Sequence, residues 1–385
     1  MTGTRKRQAP IRIVVVDDSP TVRELLVALF QSISSMSVVG TAANGEDAVR
    51  IVRRIQPDII TMDIHMPGMG GLEAIRRIMR ETPTPIVVIS SSLMQSATNL
   101  TFEALRAGAL NVVQTPGLND PQASARLIET VRLMAEVSVV RRWKSTGKEI
   151  PVPATPSATP AEAIQPPPQI KLPGSRMVRV IGIAASTGGP GTLAAILKPL
   201  PADFPIPILV VQHITSGFGA GLASWLDSVL NLQVKQAGHG DLLQAGTVFL
   251  APDDYHMRLN AHDVIELIHE KPEHGIRPSA NYLFRSLAYH YGQSAAGIIL
   301  TGMGEDGVEG LGELHRSGGL TIAQDEQSCV VYGMPREAVE QKAVVQVLTP
   351  DQITTAMAGL ARNTTQKIVE NNTTDHRLER NVIHE

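Results

Sequence analysis

A proline-rich stretch interrupts the chain near its middle. Residues 151–173 contain eight prolines among alanine, threonine and serine, in a chain of 385 residues. Proline has no backbone N–H to donate to a helix or a sheet, and the stretch holds too few apolar side chains to build a core. We therefore expect an extended linker here, with a separately folded domain on each side that is long enough to bury its own core.

Short apolar segments alternate with amphipathic segments throughout the N-terminal half. The predicted strands are residues 11–16, 37–42, 58–62, 86–90 and 111–114. The predicted helices lie near residues 46–55, 71–80 and 97–107, and another starts at Pro20, where Leu25, Leu26 and Leu29 recur at helical spacing. Five strands alternating with helices predict an α/β domain with a doubly wound parallel sheet, whose functional side chains gather beyond the carboxyl ends of the strands.

Polar side chains follow three of these predicted strands. Asp17 and Asp18 come directly after the first strand, Asp63 follows the third, and Ser90 closes the fourth. Because the carboxyl ends of parallel strands meet at one edge of a sheet, the three carboxylates would repel one another unless a hard divalent cation lay among them. Aspartates at the start of a helix can also be simple caps, so neither group alone indicates a cation site.

This arrangement, with Met66-Pro67 and a glycine-rich turn behind Asp63, resembles the receiver domain of bacterial response regulators. The resemblance implies a flavodoxin-like domain that is phosphorylated on aspartate with Mg²⁺ as cofactor. The implied site comprises Asp63 as phosphoacceptor, Asp18 and Asp63 as Mg²⁺ ligands with the backbone carbonyl of His65, Asp17 as an acidic neighbour, and Ser90 as the hydroxyl that senses the phosphoryl group.

One position departs from the receiver pattern. Receivers carry a Lys-Pro pair after the fifth strand, whereas this chain has Thr115-Pro116, and no lysine occurs between Lys6 and Lys144. A threonine hydroxyl can donate one hydrogen bond, but it has no charge with which to neutralise a phosphoryl group. Two alternatives stay open: a working phospho-switch, or a receiver that inhibits or docks on the second domain and is poorly switched by phosphate.

The C-terminal half repeats the alternation of strands and helices. The predicted strands are residues 178–183, 207–212, 248–251, 296–301 and 320–323, with helices near 222–230, 281–291 and 308–315. This order predicts a second, Rossmann-like α/β domain with a largely parallel sheet and helices on both faces. Residues 256–268 have a hairpin-like pattern and are expected to add antiparallel strands at one edge of that sheet.

The first strand of this half runs into the turn Ser186-Thr-Gly-Gly-Pro190. A phosphate-binding loop would place lysine and then serine or threonine after its last glycine, whereas Pro190 and Gly191 follow Gly189. Proline suits the first turn of a helix, so Ser186 is expected beside backbone N–H groups at a helix N-terminus, which favour an oxyanion. The sequence therefore indicates Ser186 as a candidate nucleophile.

Two further strands end in groups that a serine nucleophile needs. The strand at residues 207–212 leads into His213, and the strand at 296–301 leads into a glycine-rich turn that contains Asp306. If the three strands are parallel neighbours, Ser186, a base and an orienting acid share one edge of the sheet. His213 could instead be structural, and Asp306 could simply cap the helix that follows it.

Six segments of this half resemble the chemotaxis protein-glutamate methylesterase family. They are Ile181–Pro190, Val211–His213, Ala251–Met257, Arg277–Ser279, Leu300–Gly307 and Ser328–Pro335. The resemblance implies hydrolysis of methyl esters on receptor glutamates, often with deamidation of receptor glutamines. The implied residues are Ser186 as nucleophile, His213 as base, Asp306 as the third member, and Thr187 with the backbone N–H of Met303 near the oxyanion. His256 and Arg277 lie in these segments too, and are expected either to line the cleft or to be structural.

We expect four regions along the chain. They are a receiver at residues 10–128, a helical extension and linker at 129–174, a methylesterase domain at 175–362, and a polar, disordered tail at 363–385. A runner-up function from another class is a phosphorylation-dependent protein that docks on receptors without esterase activity. A DNA-binding regulator would need a basic helix-turn-helix domain, which the sequence does not contain.

Composition narrows the cellular setting. A formal net charge of -3 gives no case for nucleic-acid binding, and the basic cluster Arg5–Arg7 is expected to be a solvated arm. The apolar run Ile13–Val16 is too short for a signal peptide or a membrane span, and Cys329 has no second cysteine to pair with. We therefore expect a cytoplasmic protein. The two family resemblances imply peripheral association with receptor arrays, chemotaxis receptors as substrates, a chemotaxis histidine kinase as phosphodonor, and no cofactor for the ester chemistry.

Overall fold

A computed structural model describes residues 9–90, 95–117, 120–137 and 177–364, and of residues 95–99 it describes the backbone alone. Three expected features lie outside the described residues: the basic cluster Arg5–Arg7, the linker at 151–173, and the tail from residue 365 onward. Nothing in the described part of the chain forms a helix that is both long enough and apolar enough to cross a bilayer.

The N-terminal domain is a five-stranded parallel sheet flanked by helices. Its strands are β1 (Ile11–Val16), β2 (Met36–Ala42), β3 (Ile59–Asp63), β4 (Ile86–Ser90) and β5 (Asn111–Gln114). Its helices are α1 (Pro20–Gln31), α2 (Gly45–Ile55), α3 (Gly71–Glu81), α4 (Gln95–Ala107) and α5 (Pro121–Met134). The strand order is β2-β1-β3-β4-β5 and every pairing is parallel, which confirms the predicted doubly wound fold.

The branched side chains of β1, which has a neighbouring strand on each side, explain why helices cover both faces of this sheet. Ile13, Val14 and Val15 point alternately to opposite faces, and all three are fully buried. A strand that is apolar on both sides requires a helical layer against each side. The carboxyl edge of the sheet is then the place where the polar residues that follow the strands come together.

The C-terminal domain is built on a seven-stranded parallel sheet. Its strands are β6 (Val180–Ala185), β7 (Ile208–Gln212), β8 (Gln233–Gln236), β9 (Thr247–Leu250), β12 (Ala295–Ile299), β13 (Leu320–Gln324) and β14 (Gln346–Leu348). Its helices are α6 (Gly189–Leu197), α7 (Gly219–Val229), α8 (Ala280–His290), α9 (Val308–Arg316) and α10 (Met334–Glu340), followed by helical residues 350–364. The strand order is β14-β13-β12-β6-β7-β9-β8, which makes β6 and its two neighbours central.

The predicted hairpin forms, but it does not extend the main sheet. Strands β10 (His256–Leu259) and β11 (Ile265–Ile268) pair antiparallel as a separate two-stranded sheet. Met257, Leu259 and Ile265 are fully buried in the same apolar cluster as residues of α8. The hairpin thus buries its apolar face against α8. It does not pair with an edge strand of the main sheet.

Helices continue across two of the expected domain boundaries, the first of them into the predicted helical extension. Helix α5 continues past residue 128, and Val131 and Met134 are buried in the apolar core of the N-terminal domain. The final helix continues past residue 362, because the Thr364 hydroxyl donates a hydrogen bond to the Val178 carbonyl at 3.0 Å.

The two domains pack directly against each other. The ring of Phe102 on α4 stacks on that of Trp225 on α7, and the Thr215 hydroxyl approaches the Val112 carbonyl at 3.4 Å. Val330 and Val331 of the C-terminal domain pack against the core of the N-terminal domain. The contact therefore involves the α4 and β5 side of the first domain.

Candidate active site

Ser186 lies where β6 turns into α6. Its backbone N–H donates to the Thr301 carbonyl at 3.0 Å, and its carbonyl accepts from the Gly189 N–H at 2.8 Å. Gly188 adopts a φ of 80°, a left-handed conformation that glycine reaches without steric cost. The turn therefore holds Ser186 at the N-terminal end of α6, as the sequence predicted.

A glutamine side chain joins the ends of β6 and β7. Gln212 is buried, and its Nε2 donates to the carbonyls of Ser186 at 2.7 Å and of His213 at 2.8 Å. The His213 N–H also donates to the Ala185 carbonyl at 2.8 Å. These bonds fix His213 beside Ser186, because both residues are tied to the same amide. Gln212 was not among the predicted site residues, although its place directly before His213 at the end of a predicted strand was a signal.

Asp306 approaches His213 from the turn that follows β12, the strand on the other side of β6 from β7. His213 Nε2 lies 2.8 Å from Asp306 Oδ2, and the two side chains are 15% and 1% exposed. Helix α9 is capped by Gly307 without a side-chain bond, so Asp306 does not cap the helix that follows it. The structure thus brings Ser186, His213 and Asp306 to one edge of the sheet.

Hydrogen bonds keep the Asp306 carboxyl ionised in spite of its burial. Burial raises its pKa, but the donors His213, Ser279 and Ala280 together with the charge interaction with His213 outweigh that effect, and the net pKa is lowered. An ionised carboxylate only accepts, so His213 Nε2 carries a proton, and in the neutral imidazole Nδ1 is then the nitrogen with the free lone pair. Within the described residues no hydrogen bond joins the Ser186 hydroxyl to His213, and such bonds commonly tighten when substrate binds.

The predicted oxyanion donors lie on two neighbouring turns. Among the described residues, the N–H groups of Thr187 and Met303 have no acceptor. The Thr301 hydroxyl connects the turns, because it donates to the Thr187 carbonyl at 2.9 Å and accepts from the Val331 N–H at 3.0 Å. Gly302 allows their close approach, since a Cβ there would lie 2.7 Å from the Ser186 Cβ.

The N-terminal domain covers the side of the C-terminal domain on which Ser186 and His213 lie. A small cavity between the domains is lined by Ser186, Gln212 and His213 on one side. Leu105, Asn111 and Val112 line it on the other. The α4 and β5 side of the first domain therefore lies over the candidate nucleophile.

The acidic cluster forms as predicted at the edge of the first sheet. Carboxylate oxygens of Asp17, Asp18 and Asp63 lie within 4.8 Å of one another. Burial raises the pKa of Asp17 to about 6, partly offset by the Ser19 N–H, with further increases from the charges of Asp63 and Asp18. Burial also raises the pKa of Asp63. Three oxygen ligands whose mutual repulsion a cation would relieve are a donor set that fits Mg²⁺.

The remaining receiver positions lie around this cluster. Ser90 is buried at the end of β4, and its carbonyl accepts from the Thr115 N–H at 3.1 Å. Arg23 was not singled out from the sequence, and its guanidinium donates to the Asp17 carbonyl at 2.7 Å. It supplies a positive charge beside the carboxylates, although it lies on α1 rather than after β5.

His256 and Arg277 do not line the cavity beside Ser186. His256 is fully buried, its Nδ1 accepts from the Ser279 N–H at 3.1 Å, and its Nε2 lies 3.1 Å from the Lys271 carbonyl. Arg277 donates to the Glu270 carbonyl at 2.8 Å. Both side chains therefore bond backbone groups of their own domain and do not line this cavity.

Both halves match models of known protein families. Residues 181–357 match the CheB methylesterase family, and residues 13–124 match the response regulator receiver domain. A protein-glutamate methylesterase/protein-glutamine glutaminase of Myxococcus xanthus is 47% identical, over 91% of this chain and 98% of that protein. One of the same name from Nitrosospira multiformis is 43% identical, over 91% and 97%.

Solved structures match each half separately. The CheB methylesterase catalytic domain of Thermotoga maritima is 36% identical, covers 48% of this chain and 98% of its own, and gives a TM-score of 0.46. The response regulator domain of Thermotoga maritima CheB is 38% identical, covers 34% and 98%, and gives a TM-score of 0.31.

Proposed function

This chain belongs to the protein-glutamate methylesterase/protein-glutamine glutaminase family with a receiver domain, and from that membership we propose that it is a serine hydrolase of methyl-accepting chemotaxis receptors. It is an enzyme of the methylesterase and glutaminase class and a chemotaxis response regulator. The proposed substrates are γ-methyl esters of receptor glutamates and side-chain amides of receptor glutamines. The observation that carries the proposal is the bond between His213 and Asp306 at the edge where Ser186 lies.

The first half of the reaction forms an acyl-enzyme. Ser186 Oγ attacks the ester carbonyl carbon while His213 Nδ1 takes the hydroxyl proton, and the resulting oxyanion accepts from the N–H groups of Thr187 and Met303. When the tetrahedral species collapses, the methoxy oxygen leaves with the proton from His213, which releases methanol. A positioned base contributes about 10²- to 10⁴-fold, and one oxyanion donor contributes roughly 10²- to 10³-fold.

The second half restores the serine. A water molecule gives a proton to His213 and attacks the acyl carbon, and the intermediate collapses to release the glutamate carboxylate and re-form the Ser186 hydroxyl. A glutamine side chain follows the same course with ammonia as the leaving group. In both halves Asp306 holds His213 in the tautomer that leaves Nδ1 free and stabilises the imidazolium when it forms.

Regulation follows from the contact between the domains. A receptor glutamate that lies on a helix can reach Ser186 only if the whole helix, about 10–12 Å in diameter, fits beside the serine. The receiver residues Leu105, Asn111 and Val112 occupy the space on that side of the cavity. We infer that the seated receiver excludes the substrate helix, and that phosphorylation of Asp63 shifts the population toward an open packing.

Phosphorylation of Asp63 by a chemotaxis histidine kinase is the proposed input. Asp18 and Asp63, with the carbonyl of His65, would hold Mg²⁺, which neutralises charge during phosphoryl transfer when it is bound. Asp63 Oδ is the acceptor atom, while Asp17 and Arg23 set the charge around it. Because Thr115 adds no charge, we expect phosphorylation to be weakly coupled to domain opening. The enzyme is expected to act in the cytoplasm, where it would associate peripherally with receptor arrays.

Methanol release from membranes that carry methylated receptors tests the esterase function. The full chain should release methanol, and Ser186→Ala should reduce the rate to that of membranes alone. Ser317→Ala is a matched control, because that hydroxyl only donates to the Leu314 carbonyl on α9. If Ser186→Ala released methanol at the parental rate, the proposed mechanism would be wrong.

The competing function is phosphorylation-dependent docking without hydrolysis. A serine-directed phosphonate discriminates between the two, because only a serine activated by His213 is expected to react rapidly. Labelling of the parental chain at Ser186, and its loss in His213→Ala, would exclude a protein that only docks.

A further inference from the structure

The carboxylate of Asp306 accepts more hydrogen bonds than its contact with His213 requires. The Ser279 hydroxyl donates to Oδ1 at 2.5 Å, and the Ala280 N–H donates to Oδ2 at 2.7 Å. His213 Nε2 reaches the same Oδ2 at 2.8 Å. Both oxygens are thus held by α8 and by the residue before it, so the carboxylate has one orientation in which it can still meet the imidazole.

Ser279 is in turn held by a buried histidine. The Ser279 N–H donates to His256 Nδ1 at 3.1 Å, and neither residue is exposed to solvent. His256 Nε2 lies 3.1 Å from the Lys271 carbonyl, which can only accept, so the proton of this imidazole is on Nε2. Nδ1 is therefore the acceptor that Ser279 requires.

A stacked ring fixes the plane of that histidine. The rings of His256 and Tyr282 lie 3.9 Å apart with their planes 14° from parallel. The Tyr282 hydroxyl donates to Glu270 at 2.7 Å. The stack holds the plane of the His256 ring, and the two hydrogen bonds of its nitrogens hold the ring edge that faces Ser279.

We propose that Ser279 and His256 are positioning residues for the hydrolytic reaction, which orient Asp306 and through it the imidazole of His213. This inference rests on the proposed function of Ser186, His213 and Asp306. Neither Ser279 nor His256 touches the substrate or the reacting atoms. Their effect is to keep His213 Nδ1 directed at the serine throughout both halves of the reaction. The lowered pKa of Asp306 agrees with this arrangement, because burial alone would have raised it and the donors His213, Ser279 and Ala280 outweigh burial.

A purely structural role for Ser279 is the alternative. Its Oγ also accepts from the Asn281 N–H at 3.2 Å, which makes it the N-cap of α8. Loss of a cap destabilises a protein by about 1 kcal/mol, whereas glycine at the same position costs only a few tenths. Ser279→Gly therefore removes the donor to Asp306 while it retains most of the capping.

Steady-state kinetics of the full chain with methylated receptor membranes test the role of Ser279. We expect Ser279→Ala and Ser279→Gly to lower kcat by about 10- to 100-fold, the effect of one hydrogen bond to a charged group, with KM unchanged. Ser279→Thr keeps the hydroxyl and should restore most of kcat. Ser317→Ala is the matched control, because within the described residues its hydroxyl bonds only the Leu314 carbonyl on α9.

Two amide substitutions test the role of His256. An asparagine oxygen can take the place of Nδ1 and accept from Ser279, whereas a glutamine nitrogen can take the place of Nε2 and donate to the Lys271 carbonyl. We expect His256→Asn to retain kcat within about threefold and His256→Gln to lose about tenfold. Thermal unfolding of each variant shows whether the fold is intact.

The outcomes separate this inference from the proposed function. If the parental chain and Ser186→Ala release methanol equally, the proposed function fails. If the parental chain is active but Ser279→Gly keeps its kcat, or Ser279→Thr is as slow as Ser279→Ala, the positioning role is overturned. Equal kcat for His256→Asn and His256→Gln would overturn the role of His256.

Discussion

Phe102 of the receiver stacks on Trp225 of the methylesterase domain, with ring centroids 5.4 Å apart and ring planes 21° from parallel. Both side chains are almost fully buried. Such a pair stabilises the contact between the domains by burying apolar surface, and the ring contact itself adds about 0.5–1.5 kcal/mol. The stack therefore fastens α4 to α7, next to the cavity that contains Ser186.

Loss of this stack should activate the enzyme without phosphorylation. Because Phe→Ala in a core costs about 3–5 kcal/mol, part of which belongs to the contact between domains, we expect Phe102→Ala to raise the basal rate of methanol release about tenfold or more. Phe30→Ala is the control, since Phe30 is fully buried on α1, which packs against β1 and β2 within the receiver. Equal activation by both variants would show that receiver unfolding, rather than release of the interface, causes the effect.

Asp306→Asn should nearly abolish hydrolysis while the fold is retained. An asparagine amide facing His213 can donate as well as accept, so the imidazole loses the constraint that keeps its proton on Nε2. An equivalent change in a serine protease lowers kcat by about 10⁴-fold, and we expect a loss of about 10³- to 10⁴-fold here. Methanol release measures the rate, and a retained α/β circular dichroism spectrum confirms the fold. A loss of less than tenfold would contradict the assigned role of Asp306.

The same carboxyl gives a stability prediction at acidic pH. The folded pKa of Asp306 lies below its unfolded value of 3.8. A group with a lowered pKa stabilises the fold above the unfolded value, and this stabilisation is lost as the pH falls through the folded pKa. In urea unfolding we therefore expect any advantage of the parental chain over Asp306→Asn to be constant near neutral pH and to shrink below pH 3.8. An advantage that grows toward lower pH would contradict the sign of the shift.

The sequence predicted the three candidate catalytic residues because each follows a strand. Parallel strands carry their carboxyl ends to one edge, so Ser186, His213 and Asp306 could be placed together before any coordinates were known. The same reasoning could not predict the contacts of Ser279 and His256, because neither residue follows a strand of the parallel sheet. Ser279 and Asp306 are 27 residues apart, and their hydrogen bond depends on how the β10 hairpin and α8 pack.

The sequence predicted that the receiver could dock on the second domain, but it did not identify the residues in contact. Phe102 and Trp225 follow the periodicity of ordinary core residues, so no pattern distinguished an interface from a core. Strand β8 was also missed, because Gln233 and Gln236 make this four-residue edge strand too polar and too short for period-two alternation to be recognised. Edge position, rather than local preference, determines its pairing with β9.

Thr115→Lys should strengthen the phosphorylation switch. Thr115 follows β5, its N–H donates to the carbonyl of Ser90, and Val112 of the same strand lines the cavity over the nucleophile. A lysine ammonium at this position could neutralise a phosphoryl group on Asp63 and pull on β5, whereas threonine offers only a neutral hydroxyl. We expect a small phosphodonor with Mg²⁺ to raise the esterase rate more in Thr115→Lys than in the parental chain. Asp63→Asn in each background is the control and should abolish the response. If the parental chain responds as strongly as Thr115→Lys, a neutral residue suffices here, and Arg23, whose guanidinium bonds the Asp17 carbonyl, becomes the cation that balances the charge.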